Sequence, residues 1–124
     1  MHINELQSRY LAGQRNFSEV NLVAARLRNV DLRNINLSHA NLTKANLSQA
    51  YLNGADLSNA NLGNVDLSGA NLTRANLSGA SLRSANLTKT NLTEANLTEV
   101  DLKEVNLSDA YLCRVIMPDG IKPS

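Results

Sequence analysis

Leucine recurs at every fifth position from Leu22 to Leu112, without exception. Two residues before each leucine stands a small residue, nearly always Ala, Val or Ile: Val20, Ala25, Val30, Ile35, Ala40 and onward to Val115. Thr90 alone breaks the apolar rule, and it is still small. The position before each leucine is mostly Asn or Asp, and the position after it is often Ser or Thr. A period of five fits neither a helix, at about 3.6 residues, nor a strand, at about 2. A repeat this short and strict implies a solenoid, in which each turn stacks on the last. Both apolar positions of a unit point inward and the rest are polar, so the chain turns within every unit. A short extended piece and a turn, repeated, make a polygon. Geometry alone does not decide between three sides and four.

The flanks follow a different pattern. Ile3, Leu6 and Tyr10 share one face of a short helix. Asn4 with Gln7 suits a capping box, and Gly13 suits the helix end. The end coil of a solenoid otherwise exposes core and unpaired strand edges, so residues 1–16 read as an N-terminal helical cap rather than a binding helix. Phe17 takes a leucine slot while Arg15 holds the small-residue slot, so the first complete turn begins near Val20. Met117 takes the last central slot, and Pro118 then blocks further strand pairing. Asp119-Gly120 signals a turn into a tail over 118–124. No insertion interrupts 17–117, so the repeat is one domain.

Units such as Ala40-Asn41-Leu42-Thr43-Lys44 and Ala75-Asn76-Leu77-Ser78-Gly79 resemble the pentapeptide-repeat family, whose units run A-(D/N)-L-x-x. The resemblance covers residues 17–117. The segment from Arg9 to Phe17 and the run Met117-Pro118-Asp119-Gly120 look like the flanks of small cyanobacterial members. The resemblance implies an all-β fold, a right-handed quadrilateral parallel β-helix of about five coils. On that fold coils stack about 4.8 Å apart, giving a rod on the order of 25 Å long. Leu27 then stacks on Leu47, Leu67, Leu87 and Leu107, with Phe17 and Met117 closing the ladder of a neighbouring wall. Stacked Asn side chains are expected to bond neighbouring coils and turn backbone.

Composition narrows the function more than it defines it. Aromatics make up only 3% of the 124 residues, against 43% hydrophobic, so leucine and alanine must fill a narrow core. Twelve basic and eleven acidic residues leave a net charge of +1, which predicts neither a nucleic-acid binder nor a nucleic-acid mimic. The single Cys113 excludes an internal disulfide framework and is expected as an exposed thiol. No run is long enough to span a membrane and the first residues hold no apolar signal core, so a cytoplasmic setting is expected. His2 and His39 are the only histidines, and no His/Cys cluster has metal-ligand spacing. No catalytic residue, metal or cofactor is expected. The repeat generates Asn-Leu-Ser/Thr sequons automatically, and the threonines spread over four faces rather than forming an ice-binding plane.

Charge and apolar surface at the two ends remain. Glu94, Glu99, Glu104 and Asp109 recur in one slot near the C-terminus, and Arg26, Arg28 and Arg33 gather near the N-terminus. They read as a solvated surface, or as a polarised rod with an end-specific partner. Ile116, Met117 and Ile121 leave an apolar C-terminal end. It pairs with its copy in a two-fold dimer, or the tail folds over it and the chain stays a monomer. The expected function is a non-enzymatic structural or protein-interaction module with an unknown protein partner. The alternative is a DNA-mimicking inhibitor or protector of a type II topoisomerase, which the near-neutral charge disfavours.

Overall fold

The computed structural model describes residues 1–119. After one helix, every wall is built of single-residue parallel β-bridges between residues twenty apart, as Asn16↔Asn36, Asn36↔Asp56, Asp56↔Asn76, Asn76↔Asn96 and Asn96↔Ile116. Those five steps mark five coils, and four pentapeptides per twenty-residue coil give it four sides. No wall lengthens into a continuous strand among the described residues, because a turn follows each bridge within the same five residues.

The hydrogen bonds explain why five residues suffice. The N–H of each inner-coil leucine except Leu82 donates to the carbonyl nineteen residues on, as Leu47 to Asp66 at 2.7 Å and Leu67 to Asn86 at 2.8 Å. The residue before leucine donates back to the preceding coil, as Asn61 to Ala40 at 2.9 Å. The leucine carbonyl then accepts from the small residue three positions later, as from Ala70 to Leu67 at 3.0 Å. The residue before that small one has a positive φ: Gln49 at 60°, Lys44 at 61°, Glu99 at 63°. A hydrogen-bonded turn with φ positive only at its third residue is type II.

Seventeen non-glycine residues and Gly54, Gly69 and Gly79 fill this left-handed slot through all twenty units. For an ordinary side chain the conformation costs roughly 1–2 kcal/mol. Inter-coil bonding offsets the cost, since the same residue's N–H reaches the next coil, as Gln49 to Ser68 at 2.9 Å. Asparagine offsets more. Asn41 Oδ1 accepts from the Thr43 N–H at 3.1 Å and the Thr43 hydroxyl at 2.6 Å, and the same pair of bonds recurs at Asp56–Ser58 and Asn76–Ser78. The Asn column therefore acts chiefly within its own turn, and the expected ladder between coils is a minor feature. Among the described residues one side-chain contact of that kind occurs, Asn36 Nδ2 to Asn16 Oδ1 at 3.4 Å.

Phe17, Leu27, Leu47, Leu67 and Leu87 are buried, and alanine or another small residue packs between the walls. Leu107 and Met117, expected in the same core, are only half-buried. They belong to the last coil, and among the described residues no further coil covers their outer side. Thr90 is buried in its small-residue slot because its hydroxyl donates to the Leu87 carbonyl.

One wall departs from the pattern. Among the described residues the Ser81–Asp101 bridge is missing, and so are the bonds that Leu82, Ser84 and Asp101 would donate between the last two coils. Two changes coincide there. Ser81 stands where Asn or Asp locks other turns, and Arg83 lies one coil from Lys103 in the same slot, so like charges face each other. A cleft of about 320 Å³ opens between Ser81–Arg83 and Asp101–Glu104.

Thermal melting of Leu67→Asp followed by circular dichroism checks the register. Leu67 is 0% exposed, so the substitution buries an unpaired carboxylate and lowers stability by at least about 3 kcal/mol. Gly69→Ser would be near neutral on ordinary backbone, but φ is 67° and a new Cβ would run into the Gln49 amide. The expected cost is about 1 kcal/mol, with Gly69→Asn milder because Asn tolerates this conformation. An unchanged midpoint for Leu67→Asp contradicts the packing.

Candidate binding surfaces

Helix α1, Ile3–Leu11, crosses the N-terminal end of the coil. Its cap is His2, whose Nδ1 accepts from the Asn4 N–H at 3.1 Å. The capping box expected at Asn4 and Gln7 is displaced, because His2 already holds the first turn and Asn4 lies inside the helix. Ala12 ends the helix and Gly13 follows with φ of 102°, out of reach of most side chains. Leu6 is fully buried, and Ile3 and Tyr10 pack half-buried on the core. The amino terminus donates to the Asn21 carbonyl at 2.6 Å, and the Tyr10 hydroxyl to the Arg33 carbonyl at 2.7 Å. These bonds tie the two helix ends to different walls.

Around Tyr10 the charges are locked. The Arg15 guanidinium stacks 3.7 Å from the Tyr10 ring centre and bonds the Tyr10 carbonyl at 2.8 Å. Arg9 pairs with Glu5 one helical turn away. Arg33 grips Asp31 through both carboxylate oxygens at 2.9 and 2.8 Å. Those bonds hold the Asp31 carboxyl well below the usual carboxylate range, at about 2. Arg26 and Arg28 are different: neither makes an ion pair or side-chain hydrogen bond among the described residues, and Arg28 is exposed. Beside Arg28 a groove of about 530 Å³ runs between α1 and the first coil, with Tyr10, Leu11, Val30 and Leu32 along it.

Of the four C-terminal acidic residues, Glu94 and Glu104 have partners among the described residues. Glu94 sits between Arg74 at 3.7 Å and Arg114 at 3.3 Å on one corner, and Glu104 accepts weakly from Ser84 at 3.4 Å. Near them Leu102, Leu107, Leu112 and Met117 are half-buried, and Ile116 is 54% exposed. Ile121, expected at this end, lies outside the described residues. Cys113 is exposed, and His39 stands in a left-handed corner with φ of 59°. Among the described residues no group of three or more His, Cys, Asp and Glu side chains is placed to hold a metal ion, and no helix is long and apolar enough to cross a membrane.

The Asp31–Arg33 pair sets a pH dependence. A carboxylate whose pKa falls on folding adds stability above its unfolded pKa, near 4, and loses that contribution as pH falls through the folded value. Here the window runs from about pH 4 down to about 2. The partners are 59% and 46% exposed, so water screens the pair and its contribution is small. Asp31→Asn should lower the melting temperature by no more than about 4 °C at neutral pH, a deficit that shrinks steadily between about pH 4 and 2. A deficit constant with pH contradicts this account of the pair.

The family model for pentapeptide repeats matches residues 16–54, 50–88 and 80–117. Among solved structures, a pentapeptide repeat protein from Nostoc PCC 7120 is 32% identical, with 98% of this chain and 88% of that chain covered and a TM-score of 0.49. The pentapeptide repeat protein Rfr23 from the cyanobacterium Cyanothece 51142 is 30% identical, with 92% and 99% covered and a TM-score of 0.43. One from the Arabidopsis thaliana thylakoid lumen is 35% identical, with 71% and 65% covered and a TM-score of 0.42. No curated protein matches. The family match runs over the same residues that build the four-sided coils, and the chain belongs to the pentapeptide repeat family.

Proposed function

We propose that the chain is a non-catalytic protein-binding rod whose C-terminal end pairs with a second copy. The observation that carries this reading is the unfinished last coil. Leucines of the inner coils are 0–2% exposed, whereas Leu102, Leu107, Leu112 and Met117 are half-buried around the exposed Ile116. Among the described residues the Leu107 and Leu112 N–H groups have no backbone acceptor, although their counterparts Leu87 and Leu92 do. An apolar end with unpaired strand edges favours a protein contact, and a two-fold axis lets the same surface serve both partners. The walls suit binding rather than chemistry: leucine and alanine fill the interior, and the oxygens of the Asn and Asp residues before the leucines are engaged in their own turns.

Light scattering tests the pairing. The whole chain should scatter at about twice 13.4 kDa, and a chain truncated after Val115 should fall to monomer. A whole chain that stays monomeric at high concentration contradicts the dimer. A truncated chain that aggregates instead shows that the removed residues cover the end.

Imitation of DNA toward a topoisomerase is the weaker reading. It requires an acidic surface spaced like duplex phosphates, and Arg74, Arg83, Lys89 and Lys103 interrupt every candidate stripe. The protein should leave gyrase supercoiling unchanged at micromolar concentration in a gel assay. Potent inhibition would promote the mimic reading to first place.

A further inference from the structure

We infer that the groove between α1 and the first coil binds an extended acidic peptide that carries a bulky apolar side chain. The inference rests on the binding-module reading, but it concerns the end opposite the proposed dimer contact.

The floor is apolar. Tyr10, Leu11, Val30 and Leu32 line a groove of about 530 Å³, a size usual for ligand clefts. Leu11 is 85% exposed, above Tyr111 at 66% and Ile116 at 54%. It stands at the last turn of α1, where it borders the groove without reaching the core. A side chain inserted there would cover apolar surface that the fold leaves wet, and burial is favourable in proportion to that surface.

The rim is cationic, at a cost to the fold. In this turn Arg26 stands where Asn or Asp normally accepts two hydrogen bonds, and Arg28 stands where Ser or Thr normally donates them. The turn thus forgoes a side-chain lock that Asn46 and Ser48 restore one coil further on. In exchange, one wall carries two guanidiniums two residues apart. The carboxylate lining the groove, Asp31, is already held by Arg33, and the neighbouring cations Arg9 and Arg15 have their own partners. Among the described residues Arg28 is therefore the groove-lining cation left for an incoming group, with Arg26 two residues away on the same wall. Their fork geometry suits carboxylates. An apolar floor beside Arg28 matches neighbouring acidic and apolar side chains better than a phosphate backbone, which supplies no apolar group for Leu11.

Fluorescence anisotropy with a labelled hexapeptide, Glu-Glu-Leu-Phe-Glu-Glu, tests the site on the full chain. Saturable binding is expected, with Kd on the order of 100 µM. Arg26→Gln with Arg28→Gln should weaken it about tenfold, and so should Leu11→Ser alone. Leu11→Ser alters a side chain that is 85% exposed, so folding persists and the test survives any damage from the arginine changes. Arg83→Gln, near the other end of the rod, should bind as the parent does. No saturation up to about 1 mM, equal affinity for parent and Leu11→Ser, or tighter binding of a DNA duplex than of the peptide would each overturn the inference. Light scattering of the same samples reads the dimer independently, so failure of the groove and failure of the C-terminal contact are distinguishable.

Discussion

The hydrogen bond from an inner-coil leucine N–H to the carbonyl nineteen residues on, made by all of them but Leu82, governs the rest of the molecule. It fixes the coil at twenty residues and sets each leucine over the next. Residues twenty apart can stack only if every side consumes five residues and turns sharply. That turn demands a left-handed residue before each small one, and the small residue leaves room where walls meet. A fully buried leucine is worth roughly 1.5–3 kcal/mol, against roughly 1–2 for a left-handed non-glycine residue. Burial outweighs turn strain in each unit of the inner coils, and the repeat works because the comparison comes out the same way through them.

The same constraint explains which surfaces the described coils leave open. A stack of coils has two ends, and the described residues finish only one well. Leu6 seals the N-terminal coil, and the bonds of Met1 and Tyr10 pin the helix across it. At the other end Leu107 and Met117 have coil on one side alone. The broken wall between Ser81 and Asp101 adds a second weak place near that end. Both features leave apolar surface and unpaired backbone near the C-terminal end of the described coils.

Much of this was legible in the residue pattern. The leucine register marked the buried side chains Leu27, Leu47, Leu67 and Leu87, and the spacing of Ile3, Leu6 and Tyr10 marked the helix. The left-handed slot was harder to read. Glycine or Asn at Asn29, Asn34, Gly54, Asn59, Asn64, Gly69 and Gly79 signals it, but Lys44, Gln49 and Glu94 adopt the same conformation and resemble ordinary surface. The groove was hidden for another reason. Arg28 and Leu11 are far apart in the chain, and only the path of α1 across the coil brings them together. Nor did the residue pattern separate Arg33, which is paired, from Arg26 and Arg28, which have no side-chain partner among the described residues.

Native-state hydrogen exchange reads each inter-coil bond separately. The leucine amides of the inner coils, Leu47 and Leu67 among them, should exchange only through global unfolding, while Leu82, Ser84 and the end-coil Leu107 exchange much faster. Uniform fast exchange at Leu47 and Leu67 would contradict the twenty-residue ladder, and protection at Leu82 equal to theirs would contradict the break in its wall.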